Sequence, residues 1–228
     1  MTFAAAYEAA PRVWGVGRVV VANPDGGEIT PWPVSEADID DEAESLAARL
    51  AALGLGDGDL VLIASLLSQA IHVVPFEKAA GKVGALYSSS DATPFDAFRT
   101  EALVRQLRPN VVLGIDSPVL DGLDELGHDL GRVFAEVGAV VAADVGARDR
   151  LVAGGVPARG WVKLGATSAV QGLDDDAFVY DETRWQVDED GGELVLSNIA
   201  ARLTPSERFR TGVRGTVPAH GRLELADW

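Results

Sequence analysis

Cysteine is absent from the 228 residues, and histidine is scarce, with three copies. The lack of cysteine excludes disulfides, thiolate metal sites and a cysteine nucleophile, and it fits a reducing compartment such as the cytoplasm. His72, His128 and His220 lie far apart and form no i, i+4 pair. We therefore predict neither a structural zinc site nor another resident metal.

Positive charge is also sparse, because 19 lysines and arginines stand against 35 aspartates and glutamates, which gives a formal net charge of −16. A polyphosphate backbone would be repelled by such a chain, so nucleic acid is excluded as a partner.

Long hydrophobic runs are missing as well. The longest charge-free stretch, 60–76, is interrupted by Ser65, Gln69 and His72, and it is shorter than the about 20 residues of a membrane helix. Residues 1–14 show no basic region followed by an apolar stretch, so we predict no targeting segment. We expect a soluble, cytoplasmic protein that contacts no membrane.

What is present is a foldable composition: 47% hydrophobic and 24% charged residues, with a mean hydropathy of +0.12. This balance excludes general disorder and predicts a packed core. The length fits one large domain or two small ones.

Short apolar runs alternate with helical patterns through residues 35–172. Such alternation is typical of βαβ units, whose crossovers are right-handed and whose strands are parallel. We predict an α/β fold: a doubly wound, mostly parallel, three-layer sheet of the flavodoxin or Rossmann type. The predicted strands are 60–64, 85–88, 110–115, 139–143 and 161–164; the predicted helices cover 35–53, 68–82, a stretch opening at Thr93, 117–137 and 148–153.

The flanking segments have the two-residue period of strands. Residues 1–34 predict a hairpin or edge segment with a turn at 23–27. Residues 173–228 predict a β-rich appendage packed on the sheet, with hairpins over 178–199, turning at 188–192, and over 215–225.

Ligands in open parallel sheets lie beyond the carboxyl ends of the strands. That rule selects the polar residues at the predicted strand exits. Helix capping alone would also explain Thr93, Asp116 and Ser117, whereas four polar residues in a row at 88–91 exceed what one cap needs and predict a polar pocket. The selected residues are Ser65, Ser88, Ser89, Ser90, Asp91, Asp116, Ser117, Asp144, Thr167 and Ser168.

Gln69 and His72 share one face of the predicted helix start near the exit of the first strand. One interpretation is a buried histidine bonded to the backbone or to Gln69. The other makes His72 a general base or ligand contact, with Asp91 as a second group able to handle protons.

Arg208 and Arg210 alternate on an extended segment of an acidic molecule. Their guanidinium groups could bind a ligand carboxylate or phosphate bidentately. Salt bridges to the abundant aspartates and glutamates are the alternative.

Two pairs of motifs resemble the adenylate-forming superfamily, which includes acyl-CoA synthetases and phenylacetate-CoA-ligase-like enzymes. The amino-terminal pair is LGLGDGDLVLI at 53–63 and EKAAGKVGA at 77–85. The second pair is GELVLSN at 192–198 and PSERFRTG at 205–212. They are similar to the family's entry into its first sheet, and to its "Gly-Glu-Leu-x-x-Thr" and "Pro-x-x-Arg-Tyr-Arg-Thr-Gly-Asp" segments.

The sequence departs from the family at the groups that hold ATP and Mg²⁺. No Ser/Thr/Gly-rich phosphate loop ending in Pro-Lys is present, Thr167-Ser168 lacks the acid of the family's "Gly-x-Thr-Glu", and Val213 replaces the ribose-binding Asp. The carboxy-terminal domain with its catalytic lysine has no counterpart. The resemblance therefore implies a truncated, degenerate relative for which ATP and Mg²⁺ are not expected cofactors.

The function implied by the resemblance is binding of a small aromatic or acyl acid, or of its CoA thioester, without autonomous adenylation. Two alternatives stay open. The chain is a repurposed enzyme that acts on a preformed acyl or cyclic substrate by acid–base chemistry at His72 or Asp91, or it is a noncatalytic partner of a full-length ligase or carrier protein. Self-association into a homo-oligomer is compatible with each.

Overall fold

The computed structural model describes residues 17–22, 30–173 and 176–228. The six helices of the described residues are α1 (Glu36–Ala52), α2 (Ala70–Lys82), α3 (Ala97–Leu107), α4 (Ser117–Glu125), α5 (Leu130–Val133) and α6 (Val145–Ala153). Short 3-10 turns, Leu67–Gln69 and Pro94–Asp96, precede α2 and α3. The first seven strands are β1 (Gly17–Ala22), β2 (Thr30–Ser35), β3 (Leu60–Ser65), β4 (Leu86–Asp91), β5 (Val111–Ile115), β6 (Ala139–Ala142) and β7 (Ala158–Leu164). The other six are β8 (Thr167–Gln171), β9 (Phe178–Val179), β10 (Trp185–Asp190), β11 (Glu193–Asn198), β12 (Phe209–Ala219) and β13 (Arg222–Leu225).

Eleven strands form one sheet in the order β10-β11-β12-β13-β9-β8-β7-β6-β5-β3-β4. The five strands from β7 to β4 are parallel, and the remaining pairs are antiparallel. The chain adds β4 on one side of β3 and then returns to add β5 on the other side. The strand order therefore reverses between β3 and β5, which is the topological switch point. The predicted doubly wound, mostly parallel α/β sheet with carboxy-terminal antiparallel strands is confirmed.

Helices cover both faces of the parallel half. Val61 and Ile63 of β3 pack into the core under α1 and α2, while Leu62 and Ala64 pack under α3, α4 and α6 on the opposite face. A strand buried on both faces must be apolar at every position, which explains the continuous apolar runs of the sequence. Each fully buried aliphatic side chain contributes about 1.5–3 kcal/mol.

The antiparallel half has its own aromatic core, in which Trp32 of β2, Phe178, Tyr180 and Trp185 are buried. β1 and β2 pair antiparallel as a separate two-stranded sheet. The β10–β11 hairpin turns at Gly191 and Gly192, both with positive φ. The predicted turn at 188–192 was therefore too long, because residues 188–190 continue β10 in register with β11.

Two further boundaries differ from the sequence prediction. The helix predicted over 117–137 is interrupted, since Gly127 adopts a φ of 75° after α4 and Asp129 starts α5 as its N-cap. The strand predicted to end at 88 runs to Asp91, because residues 86–91 pair with residues 60–65 of β3 in parallel register.

The predicted turn at 23–27 lies outside the described residues. Within the described part of the chain, none of the helices combines the length and the apolarity needed to cross a bilayer.

Candidate functional site

The switch point is built on an unusually close approach of two strands. Gly114 interrupts β5 with a φ of 89°, and a Cβ atom at this position would lie 2.3 Å from the carbonyl oxygen of Ala64 in β3 and 3.1 Å from the Trp161 ring. Only glycine combines this φ with the required space. The exits of β3 and β5 are thereby held side by side.

Two aspartates at the exits of β5 and β6 cap the helices that follow. Asp116 accepts a hydrogen bond from the Val119 amide at 3.1 Å, and Asp144 accepts one from the Ala147 amide at 2.8 Å. Asp144 also accepts hydrogen bonds from the Ser117 amide at 2.7 Å and from the Ser117 hydroxyl at 2.6 Å. The capping alternative thus describes Asp116, the N-cap of α4. Ser117 caps neither helix, since it begins α4 and donates to Asp144, which is the N-cap of α6.

Lys163 lies next to these two carboxylates, near the end of β7. Its amine stands 4.8 Å from the centre of the Trp161 ring and has no hydrogen-bond or ion-pair partner among the described residues. Burial lowers the pKa of Lys163, while the charges of Asp116 and Asp144 oppose that shift. Burial in turn raises the pKa of Asp116, against the Val119 hydrogen bond.

Beside Lys163, two predicted site residues contact one another. Ser168 is the cross-strand neighbour of Lys163, and its Oγ lies 3.2 Å from Nδ1 of His72. Both side chains are buried. Burial, aided by the positive charge of Lys163, lowers the pKa of His72 to about 3, so the imidazole is neutral at pH 7. The predicted bond from His72 to Gln69 is not the one formed; Gln69 precedes α2, and its side chain makes no cap bond.

Thr167, by contrast, belongs to a buried structural network. Its hydroxyl donates to the Glu42 carboxylate at 2.8 Å, which also accepts from the Trp185 indole at 2.6 Å and from the Arg202 guanidinium at 2.8 Å. Burial raises the pKa of Glu42, and Arg202 with the two neutral donors opposes the rise. This network joins α1, β8, β10 and the segment after β11.

The serine run lies along the edge strand β4 rather than in a loop beyond it. Ser90 is buried and accepts a hydrogen bond from Thr100 of α3 at 2.9 Å. Ser89 and Asp91 are exposed, and Ser88 is half-buried. Because a strand alternates its side chains between two faces, these four residues cannot line one pocket together. Ser65, half-buried at the end of β3, is the register partner of Asp91 at the end of β4.

Arg208 and Arg210 follow the salt-bridge alternative. Arg208 pairs with Asp190 at 2.9 Å, and Arg210 contacts Asp190 at 3.5 Å and Glu193. Both side chains are more than half exposed and lie in the antiparallel half of the molecule.

Two cavities lined by described residues lie away from this group of side chains. One of about 690 Å³ lies between α3 and α5 and is lined by both arginines and acids, and one of about 330 Å³ lies between α1 and the ends of β8 and β9. In the described ranges, no three His, Asp or Glu residues are grouped so as to hold a metal ion.

The site brings together six side chains from the ends of β5, β6, β7 and β8 and from α2. The sequence analysis selected all of them but Trp161 and Lys163. These two lie two residues apart on β7, the last parallel strand, and therefore share one face of it. A charged residue two positions after a buried tryptophan at a strand exit is the signal that could have found Lys163. The six residues are His72, Asp116, Asp144, Trp161, Lys163 and Ser168.

No family model matches the sequence, and no curated protein matches it either. Solved structures do share its fold. An open conformation of 2-hydroxyisobutyryl-CoA ligase in complex with 2-HIB-AMP and CoA matches with a TM-score of 0.72 and 15% identity, over 93% of this chain and 56% of that one.

Two further solved structures match similarly. The Klebsiella oxytoca NpsA N-terminal subdomain, in complex with 3-hydroxyanthranilyl-AMSN, gives a TM-score of 0.63 at 13% identity over 91% of this chain and 61% of that one. The anthranilate CoA ligase AuaEII, in complex with anthranoyl-AMP, gives 0.64 at 13% identity over 92% and 46%.

The chain therefore has the fold of the acyl- and aryl-CoA ligases of the adenylate-forming superfamily, as the sequence motifs predicted. It spans about half the length of the two CoA ligases, 56% and 46%, and 61% of the NpsA N-terminal subdomain.

Proposed function

We propose that this chain binds a small organic acid or its CoA thioester at the carboxyl ends of β5, β6 and β7. The Lys163 amine donates to the carboxylate or to the thioester carbonyl oxygen. The observation that carries the proposal is the Lys163 amine, which is partly withdrawn from water near the carboxyl end of β7 and has no ion-pair partner among the described residues.

The charge balance of the site supports an oxygen ligand. A desolvated cation is unfavourable until an anion or a hydrogen-bond acceptor pairs with it. Asp144 is engaged by Ser117 and by the α6 amide, and the pKa of Asp116 is raised. A ligand oxygen would therefore complete the coordination of Lys163 without displacing an internal ion pair.

The structural neighbours support an acyl ligand. Their complexes contain 2-HIB-AMP with CoA, 3-hydroxyanthranilyl-AMSN and anthranoyl-AMP, and each of these molecules carries a small acyl group. We extend only the acyl part to this chain, because Val213 and the missing phosphate loop remove groups that the resembled family uses for ATP. Adenylation by this chain alone is not part of the proposal.

The test is a thermal-unfolding screen with benzoate, 3-hydroxybenzoate, 2-hydroxyisobutyrate and benzoyl-CoA. A ligand at 100 times its dissociation constant should stabilise the fold by about 2.7 kcal/mol. Lys163→Met should abolish the stabilisation, whereas Lys82→Met, which removes a lysine exposed on α2, should preserve it. Equal stabilisation of both variants, or none of the wild type, would contradict the proposal.

The pH dependence of binding gives a second readout. The carboxylate should bind more weakly as the pH rises and Lys163 loses its charge. Because the pKa of Lys163 lies below its ordinary 10.5, this weakening should begin at a lower pH than for a lysine in water. Titration calorimetry with the best acid across neutral to alkaline pH measures it.

Pyrophosphate release separates binding from ligation. The chain incubated with ATP, Mg²⁺ and the best acid should release no pyrophosphate above the level of a Lys163→Met control. Acid-dependent release would show that the chain adenylates and would overturn the non-adenylating part of the proposal.

A second candidate function is thioester cleavage, favoured by the 3.2 Å contact between Ser168 and His72. The Ser168 hydroxyl would add to the thioester carbonyl as His72 takes its proton; the thiolate would leave with that proton, and water would then release the acid. Free thiol released from benzoyl-CoA, lost in both Ser168→Ala and His72→Gln, would support it. The exposed Asp91 of β4 takes no part in this scheme.

A further inference from the structure

A second cation without an ion-pair partner among the described residues lies away from Lys163. Arg49, near the carboxyl end of α1, lines two cavities of about 330 Å³ and about 230 Å³. Val179 of β9 and Arg222 of β13 line both cavities as well, so the two adjoin. We call these two cavities together the Arg49 groove.

The Arg49 groove and the Lys163 site lie at opposite ends of β8. Ser168, the cross-strand neighbour of Lys163, is near the start of this strand. Gln171, which lines the groove, is its last residue, and three residues of a strand span about 10 Å. The groove is therefore a separate place for a ligand.

The guanidinium group of Arg49 is the feature that indicates a ligand. Its Nε atom is buried and, among the described residues, has no hydrogen-bond partner. Burial lowers the pKa of Arg49, and the charges of Asp181 and Glu182 oppose that shift. Because an arginine keeps its charge at pH 7, its withdrawal from water is unfavourable until an anion pairs with it.

Neither of the two acids that line the groove pairs directly with Arg49. Asp181 accepts hydrogen bonds from the Thr183 amide at 3.0 Å, from the Thr183 hydroxyl at 2.6 Å and from the Arg184 guanidinium at 2.7 Å. Glu182 is exposed, and no ion pair joins it to Arg49 in the described part of the chain. An external anion would therefore not have to displace an internal partner of Arg49.

The other polar walls indicate which anion fits. Arg222 and His220 line the groove beside Arg49. A single guanidinium fork matches the two oxygens of a carboxylate, whereas a phosphate monoester presents three acceptor oxygens and a charge of about −1.5 to −2 at pH 7. Two arginines and a histidine therefore match a phosphate better than a carboxylate.

The larger cavity places an apolar wall next to these cations. The side chain of Gln171 is already engaged there, since it accepts from the Gly160 amide at 2.7 Å and donates to the Asp176 carbonyl at 2.6 Å. The volume of this cavity, about 330 Å³, is within the usual range of ligand sites. Its apolar wall consists of Ala52, Val170, Leu173 and Val179.

We propose that the Arg49 groove binds a small organic phosphate monoester. The phosphate group accepts hydrogen bonds from the Arg49 guanidinium, and the apolar part of the ligand packs against Val170 and Val179. The inference does not rest on the proposed function, because neither Lys163 nor any other residue of that site lines the groove.

Titration calorimetry with phenyl phosphate tests the site. Every titration uses the Lys163→Met protein, so that the proposed acid site contributes no binding. Adding Arg49→Met should raise the dissociation constant by about tenfold or more. Arg99→Met is the matched control, because it removes the same charge from an exposed position on α3, and it should leave the dissociation constant unchanged. Arg49→Lys, which keeps the charge but loses the fork, should give an intermediate value.

Two further ligands test the chemistry of the anion. Inorganic phosphate lacks the apolar part and benzoate carries a single charge, so each should bind more weakly than phenyl phosphate. Benzoate binding as tightly as phenyl phosphate would overturn the assignment to a phosphate, and inorganic phosphate binding as tightly would overturn the role of the apolar wall.

NMR of the arginine side chains locates the bound ligand. The Nε–H signal of Arg49, identified by its absence from Arg49→Met, should shift as phenyl phosphate is added, whereas the signal of Arg99 should not. Circular dichroism reports whether each variant folds. No binding of phenyl phosphate, equal dissociation constants for folded Arg49→Met and Arg99→Met, or an Arg49 signal that does not respond would each overturn the proposal.

Discussion

The arginines of the antiparallel half and the Lys163 amine of the parallel half differ in how their charges are paired. In the antiparallel half, Arg202 meets Glu42 in the buried network, and Arg208 and Arg210 meet acids of β10 and β11. In the parallel half, Lys163 is partly buried at a strand exit without such a partner among the described residues, beside a histidine held neutral.

The difference separates charges that hold the fold together from charges free to act on a ligand. A charge that is paired within the protein is already stabilised by its partner, whereas a desolvated and unpaired charge is typical of binding sites and catalytic sites. By this criterion Arg202, Arg208 and Arg210 are structural, and the strand exits of the parallel half are the place to test the proposed function.

The largest effect is expected from breaking the structural network. Arg202→Ala leaves the Glu42 carboxylate buried without its guanidinium, and removing one partner of a buried ion pair destabilises by about 3–5 kcal/mol. Urea unfolding measures the change. Lys82→Ala, which removes an exposed pair with Glu44, should change stability by less than about 1 kcal/mol. If Arg202→Ala lowered the free energy of unfolding by no more than Lys82→Ala does, the buried network would contribute no more to stability than an exposed ion pair.

The next effect is a pH dependence that belongs to His72. Its pKa is about 3 in the folded chain against an ordinary 6.5, so the unfolded state binds more protons between these values. The stabilisation is complete above pH 6.5 and is lost as the pH falls toward 3. Between pH 7 and pH 5 the wild type should lose about 2 kcal/mol more than His72→Gln.

Unfolding curves at pH 7, 6 and 5 for the two proteins supply the comparison. All other titrating groups are shared, so the difference between the slopes isolates His72. Equal pH dependence of the free energy of unfolding in the two proteins would show that His72 titrates in the folded chain as it does in the unfolded one. It would exclude the burial of His72 beside Ser168 and Lys163.

Much of this arrangement could be predicted from local patterns. Continuous apolar runs alternating with 3.6-residue periodicity identified the doubly wound sheet, and single residues such as Ser35, Thr93 and Asp116 marked helix starts that the structure confirms. These signals are local, since they depend on backbone geometry within a few residues.

The rest depends on contacts between distant residues. Thr167 looked like a strand-exit ligand because its partner Glu42 lies 125 residues away, and the 96-residue separation of His72 from Ser168 hid their contact. The serine run was predicted as a pocket because four polar residues in a row exceed what one helix cap needs. Its pairing with β3, which only the assembled sheet shows, places these residues along an edge strand instead.

A smaller effect tests whether Asp116 is more than a cap. Asp116→Ala removes the α4 N-cap and should cost about 1 kcal/mol, measured by urea unfolding. Asp116→Asn keeps the cap and removes the negative charge near Lys163, so it should cost less than half of that. The Asn variant should lower the pKa of Lys163 further, as followed by NMR of the lysine side chain. An unchanged Lys163 titration would show that Asp116 acts on helix α4 alone.

The smallest effect is expected in the antiparallel half, where sequence reasoning had placed two ligand contacts. Arg208→Ala and Arg210→Ala remove exposed ion pairs, and each should change stability by less than about 1 kcal/mol. Neither should reduce the thermal stabilisation by the best acid, because their guanidinium groups are already occupied by Asp190 and Glu193. A loss of acid binding in Arg210→Ala, with the fold intact, would mean that the ion pairs open for the ligand. The binding site would then extend across both halves of the sheet.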